Sequence, residues 1–173
     1  MEQVRDNLIF SLDSWPEAGV TCDFVLSPNS LIEAMAVEQR EDPPKFLTSM
    51  RGQLDIQLMG RKLRVKGAFA VKVELTCSRC LTNFSGKITD LIDEFAIIGE
   101  QNQAQGSDGE FDEDAIPIVN SQFNLAPLML EFFWVNWPTK ALCRPDCSGL
   151  CPSCGVNLNE ESCNCKQSPL TRH

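Results

Sequence analysis

Cysteine spacing constrains this chain more than any other feature of its sequence. Nine cysteines occur in 173 residues, and six of them lie in the short segment from Cys143 to Cys165. The opening residues Met-Glu-Gln-Val-Arg-Asp indicate neither a secretory signal nor a transit peptide. Because disulfide frameworks belong mainly to exported chains, we expect the clustered cysteines to bind metal.

The six cysteines of the tail have a spacing typical of a zinc site, namely Cys143-x3-Cys147-x3-Cys151-x2-Cys154-x8-Cys163-x-Cys165. Zinc takes four ligands in a tetrahedron, and thiolates suit it. We predict one structural zinc per chain, bound by Cys151, Cys154, Cys163 and Cys165. Cys143 or Cys147 in place of a member of the second pair is the main alternative. An iron–sulfur cluster and reduced cysteines without metal are also left open.

A second cysteine pair, Cys77 and Cys80, lies between two predicted strands. A CxxC pair can be a structural turn, half of a metal site or a redox pair. Redox pairs usually begin a helix in a βαβ unit, whereas both neighbours here have strand character. All three interpretations stay open, with redox the least favoured.

The middle of the chain has the clearest strand pattern. From Leu63 to Leu75 the odd positions are apolar or glycine, and the even positions are mostly charged, which predicts a strand with one buried face. Leu54, Ile56 and Leu58 form the apolar face of the strand before it. A two-residue loop at Gly60 and Arg61 would pair Leu58 with Leu63, and the two patterns agree in that register. From Phe84 to Ile98 the apolar phase changes, which predicts a bulge.

Around this hairpin we predict an α+β domain over residues 1–140. It contains an antiparallel, twisted sheet and two packed helices, and a zinc-knuckle tail follows over residues 141–173. Ser27 and Pro28 mark the start of the first helix, and Asn124 caps the second. The segment 99–114 carries six acidic residues and no basic ones, so we expect a mobile surface loop.

The net charge of −9 excludes nucleic-acid binding through bulk positive charge. A local basic row is nevertheless present on one face of the predicted strand, formed by Lys62, Arg64, Lys66 and Lys72. Such a row can be a solvated face that protects a sheet edge, or it can contact RNA phosphates. The face lacks aromatic residues for stacking bases, so we do not expect it to read sequence.

Two motifs give the chain a family resemblance. One is Cys77-x-Arg79-Cys80-Leu81, and the other is Cys147-x-Gly149-Leu150-Cys151-Pro152-x-Cys154-Gly155-x-Asn157-Leu158-Asn159. With the strand before the first motif and the apolar helix between them, this pattern resembles the YceD family, the large ribosomal RNA subunit accumulation proteins. The resemblance covers roughly residues 53–166. It implies a role in accumulation of large-subunit ribosomal RNA and hence in ribosome biogenesis.

We therefore predict a cytoplasmic factor that is not an enzyme and takes no small-molecule substrate. The sequence shows no nucleophile–base pair, P-loop or GxGxxG motif, and its one histidine is the last residue, His173. The expected partner is ribosomal precursor RNA or a ribosome-assembly protein, without membrane association. The alternatives are a thiol redox sensor that uses Cys77 and Cys80, and a zinc-stabilised protein–protein adaptor.

Overall fold

The structure is a computed structural model that describes residues 4–35, 41, 43–100 and 115–165. Of the predicted acidic loop, residues 101–114 lie outside the described residues, whereas Gly99 and Glu100 belong to a strand. The chain divides into two compact units. One comprises Met1–Val73 with Lys87–Trp137, and the other comprises Glu74–Gly86 with Pro138–His173.

The described residues contain seven strands and two helices. In chain order these are β1 Ile9–Ser11, β2 Val20–Leu26, α1 Pro28–Ala34, β3 Met50–Met59, β4 Lys62–Thr76, β5 Asn83–Glu100, β6 Ile116–Ile118, β7 Gln122–Asn124 and α2 Ala126–Val135. A five-stranded sheet has the order β2-β3-β4-β5-β6, and β1 pairs with β7 in a small second sheet. The larger sheet is mixed, because β6 runs parallel to β5. The predicted antiparallel arrangement is therefore confirmed for β2, β3 and β4, and the edge strand β6 departs from it.

The central hairpin confirms the predicted register. Leu58 pairs with Leu63, and Ile56 with Val65, across the turn at Gly60 and Arg61. Gly60 has a φ of +63°, which glycine adopts without steric cost. The inward-facing apolar side chains of β3 and β4 lie in the core, including Leu54, which is fully buried.

The predicted change of face in β5 does not occur. Ile88, Ile92 and Ile98 are buried, and all three are even-numbered, so the strand keeps one phase. Leu91 and Phe95, which had suggested the change, are 84% and 61% exposed. The sheet therefore presents two large apolar side chains on its outer face.

The first helix begins at the predicted cap, whereas the second has Leu125 as its N-cap residue and no side-chain cap. The hydroxyl of Ser27 accepts a hydrogen bond from the backbone N–H of Ser30, and Pro28 begins α1. Asn124 accepts a hydrogen bond from the N–H of Ala126 at the start of α2. The α2 helix buries Met129 and Phe133, and the Phe133 ring lies 5.4 Å from that of Phe46.

Shortening a core side chain of β3 should cost far more stability than shortening an exposed one of β5. We expect Leu54→Ala to lower the free energy of unfolding by about 2–5 kcal/mol, because it removes apolar contacts and leaves a cavity. Leu91→Ala, the matched control on the outer face, should change it by less than about 0.5 kcal/mol. Urea unfolding of both variants measures the difference, and equal losses would contradict the assigned faces.

Candidate metal centre

Eight of the nine cysteines form two groups of four. In each group the four Sγ atoms lie within 4.8 Å of one another. We call them the first quartet, which consists of Cys77, Cys80, Cys143 and Cys147, and the second quartet, which consists of Cys151, Cys154, Cys163 and Cys165. Each quartet could hold one metal ion, and all eight residues belong to the second compact unit.

The first quartet joins cysteines that are far apart in the sequence. The Sγ atoms of Cys77 and Cys147 are 3.7 Å apart, and those of Cys80 and Cys143 are 3.6 Å apart. A tetrahedron of four sulfurs at the usual zinc–sulfur distance has an edge of about 3.8 Å. The closest sulfur pairs therefore have the spacing of ligands that share one ion.

Arg79 holds the two segments of the first quartet together. Its guanidinium donates to the carbonyl oxygen of Cys147 at 2.9 Å, and its own carbonyl accepts from the N–H of Leu150 at 3.0 Å. Gly149 has a φ of +77°, and a Cβ atom there would lie 3.1 Å from the Arg79 carbonyl oxygen. The contact between Arg79 and residues 147–150 therefore explains both the arginine of the CxRC motif and the glycine of the tail motif.

Both CxxC segments have the same backbone geometry. The N–H of Leu81 donates to the carbonyl of Cys77, and the N–H of Cys77 donates to the carbonyl of Thr82. At Cys151 the equivalent bonds come from the N–H of Gly155 and go to the carbonyl of Val156. The residue after the second cysteine has positive φ in each case, +59° at Leu81 and +75° at Gly155. The Cys77–Cys80 segment is therefore a second knuckle, with leucine where the tail has glycine.

Thiols make up most of the small core of the second unit. Among its described residues, those that are buried are four cysteines, one leucine and one glycine: Leu75, Cys77, Cys80, Cys147, Gly149 and Cys151. Phe84, Leu142 and Leu150 are partly buried against the first quartet. A unit of this size without metal or disulfides rarely folds on apolar burial alone, and its cysteines are not linked.

Asn159 fixes one ligand of the first quartet from the side. Its Nδ2 donates to the Sγ of Cys147 at 3.3 Å, and its Oδ1 accepts from the N–H of Ser148 and the guanidinium of Arg144, both at 2.8 Å. Hydrogen bonds to a ligating sulfur stabilise thiolate charge and orient the ligand.

The cysteines of each quartet differ in their pKa values. Burial opposes ionisation of Cys77, but the N–H groups of Cys143, Cys80 and Arg79 outweigh it and lower its pKa to about 6. Burial and the neighbouring thiols raise the pKa of Cys143 to about 12. In the second quartet, the N–H groups of Cys154 and Ser153 lower the pKa of Cys151 to about 6. The Cys154 thiol and burial raise that of Cys165 to about 12.

These positions revise the predicted ligand sets. The first-choice tail set is the second quartet, so its four sulfurs lie together as the spacing suggested. Cys143 and Cys147 do not join them, because the fold places both beside Cys77 and Cys80. The geometry therefore does not favour the alternative that exchanged them into the tail site, and the CxxC pair between the strands is half of a four-thiol group.

The predicted basic row carries less free charge than its sequence suggests. Arg64 and Lys66 both pair with Asp93 of β5, at 3.1 Å and 3.4 Å. The Arg64 hydrogen bond and charge lower the pKa of the Asp93 carboxyl. Lys62 and Lys72 are exposed. The expectation that this face lacks aromatics was wrong, because Arg64 lies 5.7 Å from the ring centre of exposed Phe95.

Comparison with known proteins places these residues in a family. The sequence profile described as "Large ribosomal RNA subunit accumulation protein YceD" matches residues 65–172, a range that includes both quartets. The chain belongs to the YceD family. No solved structure matches it. Among the described residues, no helix is long and apolar enough to cross a membrane.

Curated relatives of this YceD-family chain come from bacteria and plants. An uncharacterized protein of Mycobacterium tuberculosis is 28% identical over 109 residues, which is 62% of this chain and 51% of the relative. Two chloroplastic proteins named large ribosomal RNA subunit accumulation protein YCED homolog 1 also match. The one from Zea mays is 28% identical over 65% of this chain and 47% of its own length, and the one from Arabidopsis thaliana is 24% identical over 68% and 44%. The chain spans about half the length of these relatives.

Replacing Asn159 by aspartate tests its contact with Cys147. Asn159→Asp keeps the shape but removes the N–H donor and adds a negative charge beside a thiolate, so we expect about 10- to 100-fold weaker binding of Co²⁺ by the first quartet. The variant is made in a chain that also carries Cys151→Ala and Cys154→Ala. Only the first quartet then contributes to the thiolate-to-cobalt charge-transfer absorption, which measures Co²⁺ binding.

The second quartet provides the control for this prediction. In a chain that carries Cys77→Ala and Cys80→Ala, Asn159→Asp should change the Co²⁺ affinity of the second quartet by less than about threefold. Among the described thiols, Asn159 contacts only that of Cys147, which belongs to the first quartet. Equal weakening of both quartets would show a general loss of structure and contradict the assigned role.

Proposed function

We propose that this protein is a non-enzymatic factor that supports accumulation of large-subunit ribosomal RNA during ribosome biogenesis. The family match over residues 65–172, which includes every member of both quartets, is the observation that carries this proposal. The names of the maize and Arabidopsis relatives agree with it. The partner we propose is ribosomal precursor RNA or an assembly protein bound to it.

The metal we propose is zinc, with one ion in each quartet rather than the single ion predicted from the tail. Four thiolates suit zinc, and sulfur separations of 3.6 and 3.7 Å in the first quartet fit ligands around one ion. An iron–sulfur cluster places inorganic sulfide and several irons between its cysteines, which requires wider spacing. Zinc therefore fits the donor set better.

A four-thiolate zinc site is closed, since the protein supplies every ligand and no position stays open for substrate. Its role in our proposal is to stabilise the second unit, whose buried residues are mainly cysteines. We place the protein in the cytoplasm or an equivalent reducing compartment, where thiols stay available for metal. The redox alternative requires Cys77 and Cys80 to form a disulfide with each other, whereas the sulfur of each also lies within 3.7 Å of a tail cysteine.

Zinc content tests the metal assignment. Purified protein should contain about two zinc ions per chain, and Cys77→Ala with Cys80→Ala, or Cys151→Ala with Cys154→Ala, should each leave about one. Cys22→Ala is the matched control, because Cys22 is buried in β2 outside both quartets and should not alter the count. Elemental analysis measures all four proteins. Undiminished zinc in either double variant would contradict its quartet.

Depletion of the protein in its native cell tests the ribosomal role. We expect the ratio of large- to small-subunit ribosomal RNA to fall at least about twofold, as measured on sucrose gradients, and the tagged protein to sediment with large-subunit precursors. Protein with both quartets disrupted should fail to restore the ratio, whereas Cys22→Ala should restore it. An unchanged ratio after depletion would refute the role, and thiol-reductase activity in the zinc-free protein would favour the redox alternative.

A further inference from the structure

An open groove of about 610 Å³ crosses the outer face of the sheet in the first unit. Its lining comes from three neighbouring strands, β3, β4 and β5. The most informative residues are Arg51 of β3, Ala68 and Ala70 of β4, and Lys87 and Leu91 of β5. None of these five residues belonged to the basic row that the sequence suggested.

Short side chains on the middle strand create the groove. Arg51 pairs with Ala70, and Gln53 pairs with Ala68, so longer side chains of β3 lie beside alanine methyl groups of β4. Gly52 also lines the groove, and a Cβ atom at this residue would collide with the Ala68 carbonyl oxygen and lie 2.8 Å from the Phe24 ring. The close approach of β3 and β4 therefore requires glycine here.

The charged residues in the groove lining are Arg51, Lys87 and Asp90, which give the groove a net charge of +1 in an acidic protein. Arg51 and Lys87 are exposed, and neither forms an ion pair with another described residue. The nearby carboxylates already accept hydrogen bonds. Asp90 accepts from the Asn136 amide and from the N–H of Leu91, both at 2.8 Å, and Asp23 accepts from the Gln53 amide at 3.2 Å. The two cations are thus available to an anionic partner.

Apolar side chains on the same face narrow the choice of partner. Leu91 and Phe95 are outward-facing residues of β5, and four residues of a strand span about 13 Å. The Arg64 guanidinium lies 5.7 Å from the centre of the Phe95 ring. A purely acidic peptide would match the cations but offers no apolar or ring surface to Leu91 and Phe95. Single-stranded RNA matches both, since it carries phosphates and unpaired base faces.

We propose that this groove binds single-stranded RNA, with Arg51 and Lys87 on successive phosphates and base faces against Leu91 and Phe95. The inference rests on the proposed ribosomal function and names its contact surface. Such binding depends on few ionic contacts, so its affinity is modest and falls as the salt concentration rises. The contacts are to backbone and base faces, so the groove positions RNA without reading base edges.

Fluorescence anisotropy of the zinc-loaded full chain tests the proposal. The probe is a fluorescein-labelled mixed-sequence RNA of about 12 nucleotides, within the range of single-strand sites. Arg51→Glu with Lys87→Glu should weaken binding at least tenfold and reduce the salt slope by about 1.4, the value for two phosphate contacts on a single strand. Ala70→Leu, which fills the groove and keeps its charges, should also weaken binding.

Lys87→Glu alone should also weaken binding, and its matched control is Lys140→Glu, because it reverses one charge at an exposed lysine that neither lines the groove nor belongs to the basic row. The control should weaken binding by less than about threefold. The proposal is overturned if wild-type protein does not bind the RNA, if the control loses as much affinity as Lys87→Glu, or if a polyglutamate peptide of equal length competes as well as RNA.

Complementation separates this inference from the proposed function. Depleted cells that express the Arg51→Glu, Lys87→Glu variant should keep the protein and its zinc but recover less large-subunit RNA than cells with the Lys140→Glu control. Full recovery with the groove variant would overturn the groove as the functional contact and leave the ribosomal role intact. No change on depletion itself would instead refute the proposed function, whatever the groove binds in solution.

Discussion

The convergence of four thiols from two distant segments is the constraint on which the second unit depends. Cys77 and Cys147 are 70 residues apart in the chain, yet their sulfurs lie 3.7 Å apart. Bringing such segments together costs conformational entropy, and apart from cysteines the described part of this unit buries only one apolar side chain, Leu75, to offset it. Metal binding supplies free energy that becomes folding free energy when no preformed site exists in the unfolded chain. The Arg79 and Gly149 contacts then set the geometry in which the sulfurs meet.

Sequence periodicity predicted the central hairpin well, because each strand had one apolar face and only one register aligned them. The β7 strand was missed. Its turn places Asn120 and Ser121 at positive φ, and asparagine is one of the few residues that tolerate this conformation, so a signal was present but short. In β5 the sequence predicted a change of buried face that does not occur. Leu91 and Phe95, which suggested that change, are apolar but face outward.

The candidate sites show why local spacing reveals only part of a metal centre. The second quartet lies within 15 residues, so its spacing was sufficient. The first quartet depends on which distant segments the fold brings together, and leucine at position 81 concealed a knuckle that glycine marks in the tail. The free charge of the basic row was overestimated for a related reason, since Asp93, which pairs with Arg64 and Lys66, comes from another strand. Arg51 and Lys87 likewise lie on different strands, and no linear motif connects them.

Ligand identity is the most direct test of the claim that each quartet is a closed thiolate site. X-ray absorption at the zinc K-edge of the purified protein measures the average ligand set of all bound ions. We expect four sulfur ligands per zinc at about 2.3 Å and no lighter ligand. A shell containing nitrogen or oxygen at about 2.0–2.1 Å would contradict it, because at least one quartet would then fail to enclose its ion.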